Sequence, residues 1–214
     1  MPQAIIGSKA PLFCTSAVLN GKDISAEQRL QDLSGSKGVV LFFYPKDFTY
    51  VCPTELWALQ AHREAFEALG VAVVGCSTDT AETHLAWLRT PRDQGGIQGI
   101  TYPLLADTSK EVAYNYGVLG GSYTFSEDRH QMAFAGNCPV AYRGTFFIDE
   151  TGIIRHASIN ELSLGRNVKE LLRIVGMWQH VQAHGEVCPA GWQPGTQAMK
   201  ATPEGVADYM KHNS

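Results

Sequence analysis

Strand-like and helix-like segments alternate along these 214 residues, and that alternation predicts an α/β fold built on a mixed sheet with helices on both faces. Three observations carry the prediction. The runs over 39–43, 71–76 and 145–148 are too uniformly apolar to have one face in water, as strands in the middle of a covered sheet must be. Helical spacing of apolar residues fills the stretches between them. Asp149-Glu150-Thr151-Gly152 is a turn sequence that joins the third run to a fourth at 153–159 as a hairpin, which adds an antiparallel pair.

The elements follow in order. Gly38-Val39-Val40-Leu41-Phe42-Phe43 is a buried strand that runs into a loop, and the loop delivers Cys52 to a helix start. Pro53 suits the first helical position, and Leu56, Leu59, Ala61, Phe66 and Leu69 give a helix over 53–69 its apolar face. A strand over 71–76 follows, then helices over 80–89 and 109–116, the hairpin, and a helix over 167–183. In that last helix Val168, Leu171, Leu172, Val175 and Trp178 mark the buried side. Beyond His184 the pattern gives way to Gly185-Glu186-Val187-Cys188-Pro189-Ala190-Gly191-Trp192-Gln193-Pro194-Gly195, which reads as a tail. A tail with a tryptophan is expected to dock on something. No internal repeat is present. The expected organisation is one domain over 1–176 and a tail over 177–214.

Composition narrows the function. Apolar residues are 44% and charged residues 18%, which suits a globular enzyme and excludes a disordered chain. A net charge of −4 suggests no nucleic-acid partner. The seven histidines lack metal-ligand spacing: His180 and His184 stand four apart without the glutamate of a zincin motif. No metal or other cofactor is expected. Residues 1–7 lack the basic start and apolar run of a secretory signal, and no window is long and apolar enough for a membrane span. The expected location is therefore cytoplasmic. The five cysteines, at 14, 52, 76, 138 and 188, are odd in number and irregular in spacing. In a reducing compartment they are expected as free thiols, with only a transient catalytic disulfide. Cys14 and Cys76, beside apolar neighbours, are expected to be structural. Cys52, Cys138 and Cys188 each precede proline, which predicts a reachable turn or helix start for all three.

Cys52 is the residue with the clearest chemistry. At a helix start it faces unpaired N–H groups and the positive end of the helix dipole, which favour thiolate over thiol. Only the thiolate is a competent nucleophile. From the residues alone, several thiol chemistries fit.

Pro45-x-x-x-Thr49-x-x-Cys52, within Phe43-Tyr44-Pro45-Lys46-Asp47-Phe48-Thr49-Tyr50-Val51-Cys52-Pro53-Thr54-Glu55, resembles the peroxidatic loop of the peroxiredoxins. The segment 185–192 resembles the resolving-cysteine segment of the typical two-cysteine, alkyl hydroperoxide reductase C-like subgroup. Thr83-His84-Leu85-Ala86-Trp87, Tyr102-Pro103-Leu104-Leu105-Ala106-Asp107 and Tyr142-Arg143-Gly144-Thr145-Phe146-Phe147-Ile148-Asp149 also look like family segments, in family order.

That resemblance implies a thioredoxin-like fold and a thiol peroxidase. Cys52 would attack a peroxide and become a sulfenic acid. Arg143 would hold the thiolate charge and polarise the peroxide, Thr49 would orient its oxygens, and Pro45 would shield the site from water. Glu55 would support them by pairing with Arg143 or another cation. Cys188 would resolve the sulfenic acid as an intersubunit disulfide, re-reduced by thioredoxin or a dedicated disulfide reductase. An antiparallel homodimer, closed into a ring of five dimers, is the implied assembly. Forming the disulfide should require local unwinding around Cys52. Gly95-Gly96-Ile97-Gln98 and Tyr209-Met210 partly match segments that slow this unwinding in relatives, so intermediate sensitivity to over-oxidation is expected. The connection containing Cys138 is longer than in relatives, and Cys138 is expected to be inert. Two other readings compete: a thioredoxin-like disulfide oxidoreductase, which the absence of C-x-x-C opposes, and a holdase chaperone.

Overall fold

A computed structural model describes residues 5–212, which divide into two compact units after Arg166. The first unit is built on a seven-stranded mixed sheet with strand order β2-β1-β5-β4-β3-β8-β9. Its strands are β1 (Cys14–Leu19), β2 (Asp23–Arg29), β3 (Gly38–Phe43), β4 (Val71–Ser77), β5 (Leu104–Ala106), β8 (Arg143–Asp149) and β9 (Ile154–Asn160). β3, β4 and β5 run parallel, whereas β8 is antiparallel to β3 and β9 antiparallel to β8. Every residue of β3 and β8 is buried: β3 is apolar throughout, and β8 has an apolar centre, Phe146-Phe147-Ile148. Phe43, Tyr116 and Phe146 meet at ring-centroid distances of 5.0–5.9 Å at the centre of the core. Gly38, at the start of β3, has φ of 127°, and a Cβ there would lie 2.2 Å from the Ile148 carbonyl oxygen. Only glycine lets β3 approach β8 this closely.

The helices of this unit are α1 (Leu30–Leu33), α2 (Cys52–Ala61), α3 (Arg63–Ala68), α4 (Ala81–Arg89) and α5 (Glu111–Asn115). The single helix expected over 53–69 is two. It breaks at His62, whose ring Nδ1 lies 2.8 Å from the Ala58 carbonyl and whose backbone is not helical. A side chain that occupies the i−4 carbonyl competes with the helical ladder. Thr80 caps α4 by accepting a hydrogen bond from the Thr83 N–H at 3.2 Å.

A separate two-stranded sheet, β6 (Leu119–Ser126) and β7 (Gln131–Ala141), was not expected. Cys138 therefore lies within a strand and not at a turn or helix start. Pro139 is tolerated there because a two-stranded ribbon consists of edges. Cys14 is exposed, contrary to the structural role expected of it, whereas Cys76 is fully buried.

The second unit contains α6 (Val168–His184) and α7 (Pro203–His212). Asn167 caps α6 by accepting from the Glu170 N–H at 3.2 Å. The segment after α6 is ordered through its own contacts and is not a featureless tail. Trp192 packs against His180 with ring centroids 5.0 Å apart and the rings tilted, its carbonyl accepts from Arg173 Nη1 at 2.9 Å, and its indole N–H donates to the Thr196 carbonyl. α7, a helix of ten residues, was not legible in the sequence. Among the described residues no helix is long and apolar enough to cross a membrane.

Candidate active site

Parallel strands β3 and β4 end at the same edge of the sheet, and the loop leaving β3 carries the site. It runs from Tyr44 to Val51 and ends where Cys52 opens α2. Pro53 takes the second position of that helix, where a missing N–H costs nothing. The Cys52 side chain is fully buried, so a cysteine expected to be reachable is enclosed.

Two groups converge on its sulfur. Arg143 Nη1, from the first residue of β8, lies 3.4 Å from Cys52 Sγ. Thr49 Oγ1 lies 2.9 Å from it. The Thr49 hydroxyl is equally close, 2.9 Å, to the Lys46 carbonyl oxygen. It has one proton and can donate to only one of these at a time. A thiolate accepts that proton more strongly than a neutral thiol does.

Arg143 is fixed by two further bonds. Its Nε donates to the Leu162 carbonyl at 2.7 Å, and its Nη1 donates to Glu55 Oε2 at 2.7 Å. Glu55 sits one turn into α2 and is itself buried. It accepts from Arg166 as well: Nη1 at 2.9 Å and the backbone N–H at 2.9 Å. One buried carboxylate thus binds two buried guanidinium groups, leaving a net positive charge beside the sulfur. Removing one partner from such a buried cluster leaves an uncompensated charge.

Sequence reasoning did not single out Arg166. It holds its place by donating to Thr145 Oγ1 at 2.8 Å, to the Gly144 carbonyl at 3.1 Å and to the Phe43 carbonyl, with its guanidinium 5.2 Å above the Phe42 ring. Burial pushes its guanidinium down to about 10, still well above neutral, so it stays charged. The available signal was a second arginine directly before the Asn167 helix cap, but nothing in its local sequence points at Cys52. Pro45 is buried in the loop, between Tyr44 and the exposed Lys46.

Cys188 belongs to the second unit, just before the turn closed by the Trp192 N–H and the Pro189 carbonyl at 3.1 Å. Its sulfur lies 3.9 Å from the Met177 carbonyl. Partial burial and the neighbouring Glu186 carboxylate push its thiol up, with Arg173 opposing them. Cys76 is inert by burial, which raises its thiol well above the ordinary range. No group of three or more potential metal ligands occurs among the described residues.

Comparison with known proteins shows the family. Residues 6–157 match the AhpC/TSA family, and residues 177–212 match the C-terminal domain of 1-Cys peroxiredoxin. Mouse peroxiredoxin-2 is 45% identical over 211 residues, covering 98% of each chain. Alkyl hydroperoxide reductase C of Helicobacter pylori is 42% identical over 210 residues, again 98% of each. The reduced crystal structure of the Plasmodium vivax 2-Cys peroxiredoxin superposes with a TM-score of 0.84 at 40% identity, covering 96% of this chain and 98% of that one. The buried cysteine under a paired arginine, on a thioredoxin-like sheet, is thus found in a chain that belongs to the AhpC/TSA family, as a typical two-cysteine peroxiredoxin and thiol peroxidase.

Proposed function

We propose that Cys52 is the residue oxidised by peroxide, with Arg143 and Thr49 as its catalytic partners, Pro45 as the shield of the site and Glu55 as the support that aims Arg143. The observation that carries this reading is the convergence of a buried guanidinium at 3.4 Å and a hydroxyl at 2.9 Å on one buried sulfur. The Cys52 thiolate attacks the terminal oxygen of a hydroperoxide. An S–O bond forms, the O–O bond breaks, and the electron pair leaves on the second oxygen. Protonation of that oxygen yields water from hydrogen peroxide or an alcohol from an organic hydroperoxide. Sulfur ends as Cys52–SOH. Arg143 and the Thr49 hydroxyl stabilise charge where it grows on the departing oxygen, an effect worth the most in a site closed to water.

Cys188 then attacks the sulfenic sulfur. The S–O bond breaks, water leaves, and a Cys52–Cys188 disulfide forms, which a thioredoxin-type dithiol reduces to restore both thiols. We assign this disulfide to two chains of an antiparallel homodimer, with residues 177–214 as the crossing segment, and a ring of five dimers as the larger assembly. The cytoplasm supplies the reducing conditions this cycle needs. Because Cys52 is buried at a packed helix start, its sulfur must be released by unwinding before any disulfide can form. Peroxide consumption in the presence of a thioredoxin system tests the assignment. Wild type is expected to turn over and Cys52→Ser to show none; turnover by Cys52→Ser overturns it, and turnover with Cys52 but without peroxide, on a disulfide substrate, would favour an oxidoreductase.

A further inference from the structure

The β6–β7 ribbon has one apolar face that its own chain leaves open. The register pairs Tyr123 with Phe134 and Phe125 with Met132, and side chains directly opposite in a ladder share a face. These four therefore lie on one side, and Ser122, Thr124, Ser126 and Gln131 lie on the other. Such alternation belongs to a strand pair with one face on a core. Here Tyr123 is 48%, Phe125 57% and Met132 59% exposed. The Phe134 ring lies down along the ribbon: it packs edge-on against Tyr123 with centroids 5.2 Å apart, and a Cβ at Gly121 would collide with it. An isolated two-stranded ribbon is marginal in water, so this pattern calls for a cover.

The charges around the face are ordered along the strands. Lys110, just before α5, holds its ammonium 5.9 Å from the Tyr123 ring centroid. The turn between the strands carries Glu127 and Asp128, beside Arg129. At about 3.3 Å per residue, Glu127 is roughly 13 Å along the strand from Tyr123. A second ribbon turned end for end over the first sets Tyr123 and Phe134 of each copy on Phe125 and Met132 of the other. The same rotation carries the acidic turn of each copy toward the Lys110 ammonium of the other. The face thus complements itself in apolar pattern and in charge. A polyanion would meet the wrong sign at the turn, and a lipid surface would have to desolvate Glu127 and Asp128.

We propose that the apolar face of the β6–β7 ribbon is a contact between copies of this chain, in which ribbons of two neighbouring dimers pack face to face and end for end. The inference rests on the ring of dimers proposed above. A ring of two-fold dimers is closed by a second two-fold contact, which uses the same patch on both chains. The area agrees with that place. Three large side chains, each about half exposed, offer on the order of 300 Å² per copy, roughly 600 Å² between two. That falls short of the ~1,000 Å² of an interface that stands alone. It suits a contact repeated around a closed assembly, where each dimer is held on two sides.

The test is sedimentation velocity of the reduced full chain over a dilution series, joined to carbodiimide coupling. Carbodiimide links an ammonium to a carboxylate in contact with it. Isotope-labelled and unlabelled dimers are mixed dilute and then concentrated, so a mixed-isotope link comes from two dimers. Tyr123→Ser, Phe125→Ser and Met132→Ser combined should raise the concentration of half assembly from dimers roughly tenfold, as loss of central aromatic contacts does. Single-turnover oxidation of Cys52, measured on assembled protein, should stay unchanged. Lys110→Glu alone should raise the half-assembly concentration about threefold, as exposed charges allow, and Asp128→Lys in the same chain should restore it. Wild type should give a mixed-isotope link from Lys110 to Glu127 or Asp128. Unchanged assembly in the triple variant overturns the contact, leaves the ring standing and opens the face to another partner. Where that variant fails to fold, absence of the mixed-isotope link from assembled wild type overturns it. Wild type that never exceeds a dimer removes the ring and the contact together.

Discussion

Arg143 is held beside the sulfur by its Nε bond to the Leu162 carbonyl and its Nη1 bond to Glu55. Arg143→Met should slow the peroxide step by about 10²- to 10³-fold, the usual loss when one preorganised donor to a developing oxyanion is removed. Stopped-flow oxidation of Cys52 under single-turnover conditions reads this directly; a loss below about threefold contradicts the assignment. Cys188 gives a prediction of opposite sign. The Glu186 carboxylate helps hold the Cys188 thiol up, so Glu186→Gln should lower it and speed disulfide formation near neutral pH. Each unit of lowering gives about tenfold more thiolate but costs only about threefold in nucleophilicity. The gain should vanish once the pH exceeds the thiol's own value, and pH-dependent resolution rates would show it. At this scale a resemblance to motifs singled out Cys52, Thr49, Arg143 and Cys188 in the sequence, and the structure brings the first three together. Arg166 was hidden, since the Glu55 carboxylate and the Phe43 carbonyl that it binds lie more than a hundred positions away in the chain.

Among the elements, the fully buried strands were the most legible. β3 and β4 announce themselves as apolar runs, as does the centre of β8 over 145–148, and the 149–152 turn fixes β8 against β9. β1, β2 and β5 were missed for a physical reason. β1 and β2 are outer strands of mixed polarity, and β5 has three residues, too few for any period to register. The β6–β7 ribbon was missed because glycine, serine and proline within it read as loop. α7 escaped because a polar stretch after several glycines and prolines looks like tail, although Pro203 at its start and basic residues in its last turn are proper helix signals. The break between α2 and α3 depends on one histidine side chain reaching a carbonyl, which no apolar pattern reports. The tightest element contact also yields a stability prediction. Gly38→Ala would place a Cβ 2.2 Å from the Ile148 carbonyl at a φ of 127°. Strain of this kind costs on the order of 1–3 kcal/mol before the β3–β8 pair shifts. Urea unfolding of the reduced protein should show at least that loss; a neutral substitution would mean β3 and β8 are less closely apposed than described.

For the whole molecule, the central claim is that two cysteines in two separate units complete one chemical cycle. The first unit encloses Cys52 beside the Arg143 guanidinium, the setting proposed for its oxidation by peroxide. The second presents Cys188, whose thiol is pushed up by partial burial and by the Glu186 carboxylate. Enclosure favours the first step and obstructs the second, so the account requires Cys52 to leave its pocket once oxidised. Composition, charge and fold are compatible with many thiol enzymes; the pairing of Cys52 with Cys188 is what distinguishes this cycle. Non-reducing electrophoresis after one equivalent of peroxide, with peptide mapping of the product, tests it most directly. Wild type should run as a covalent dimer joined by Cys52 and Cys188, and both Cys52→Ser and Cys188→Ser should remain monomeric. A covalent dimer that survives Cys188→Ser, with Cys138 or Cys14 in the bridge, would contradict the account.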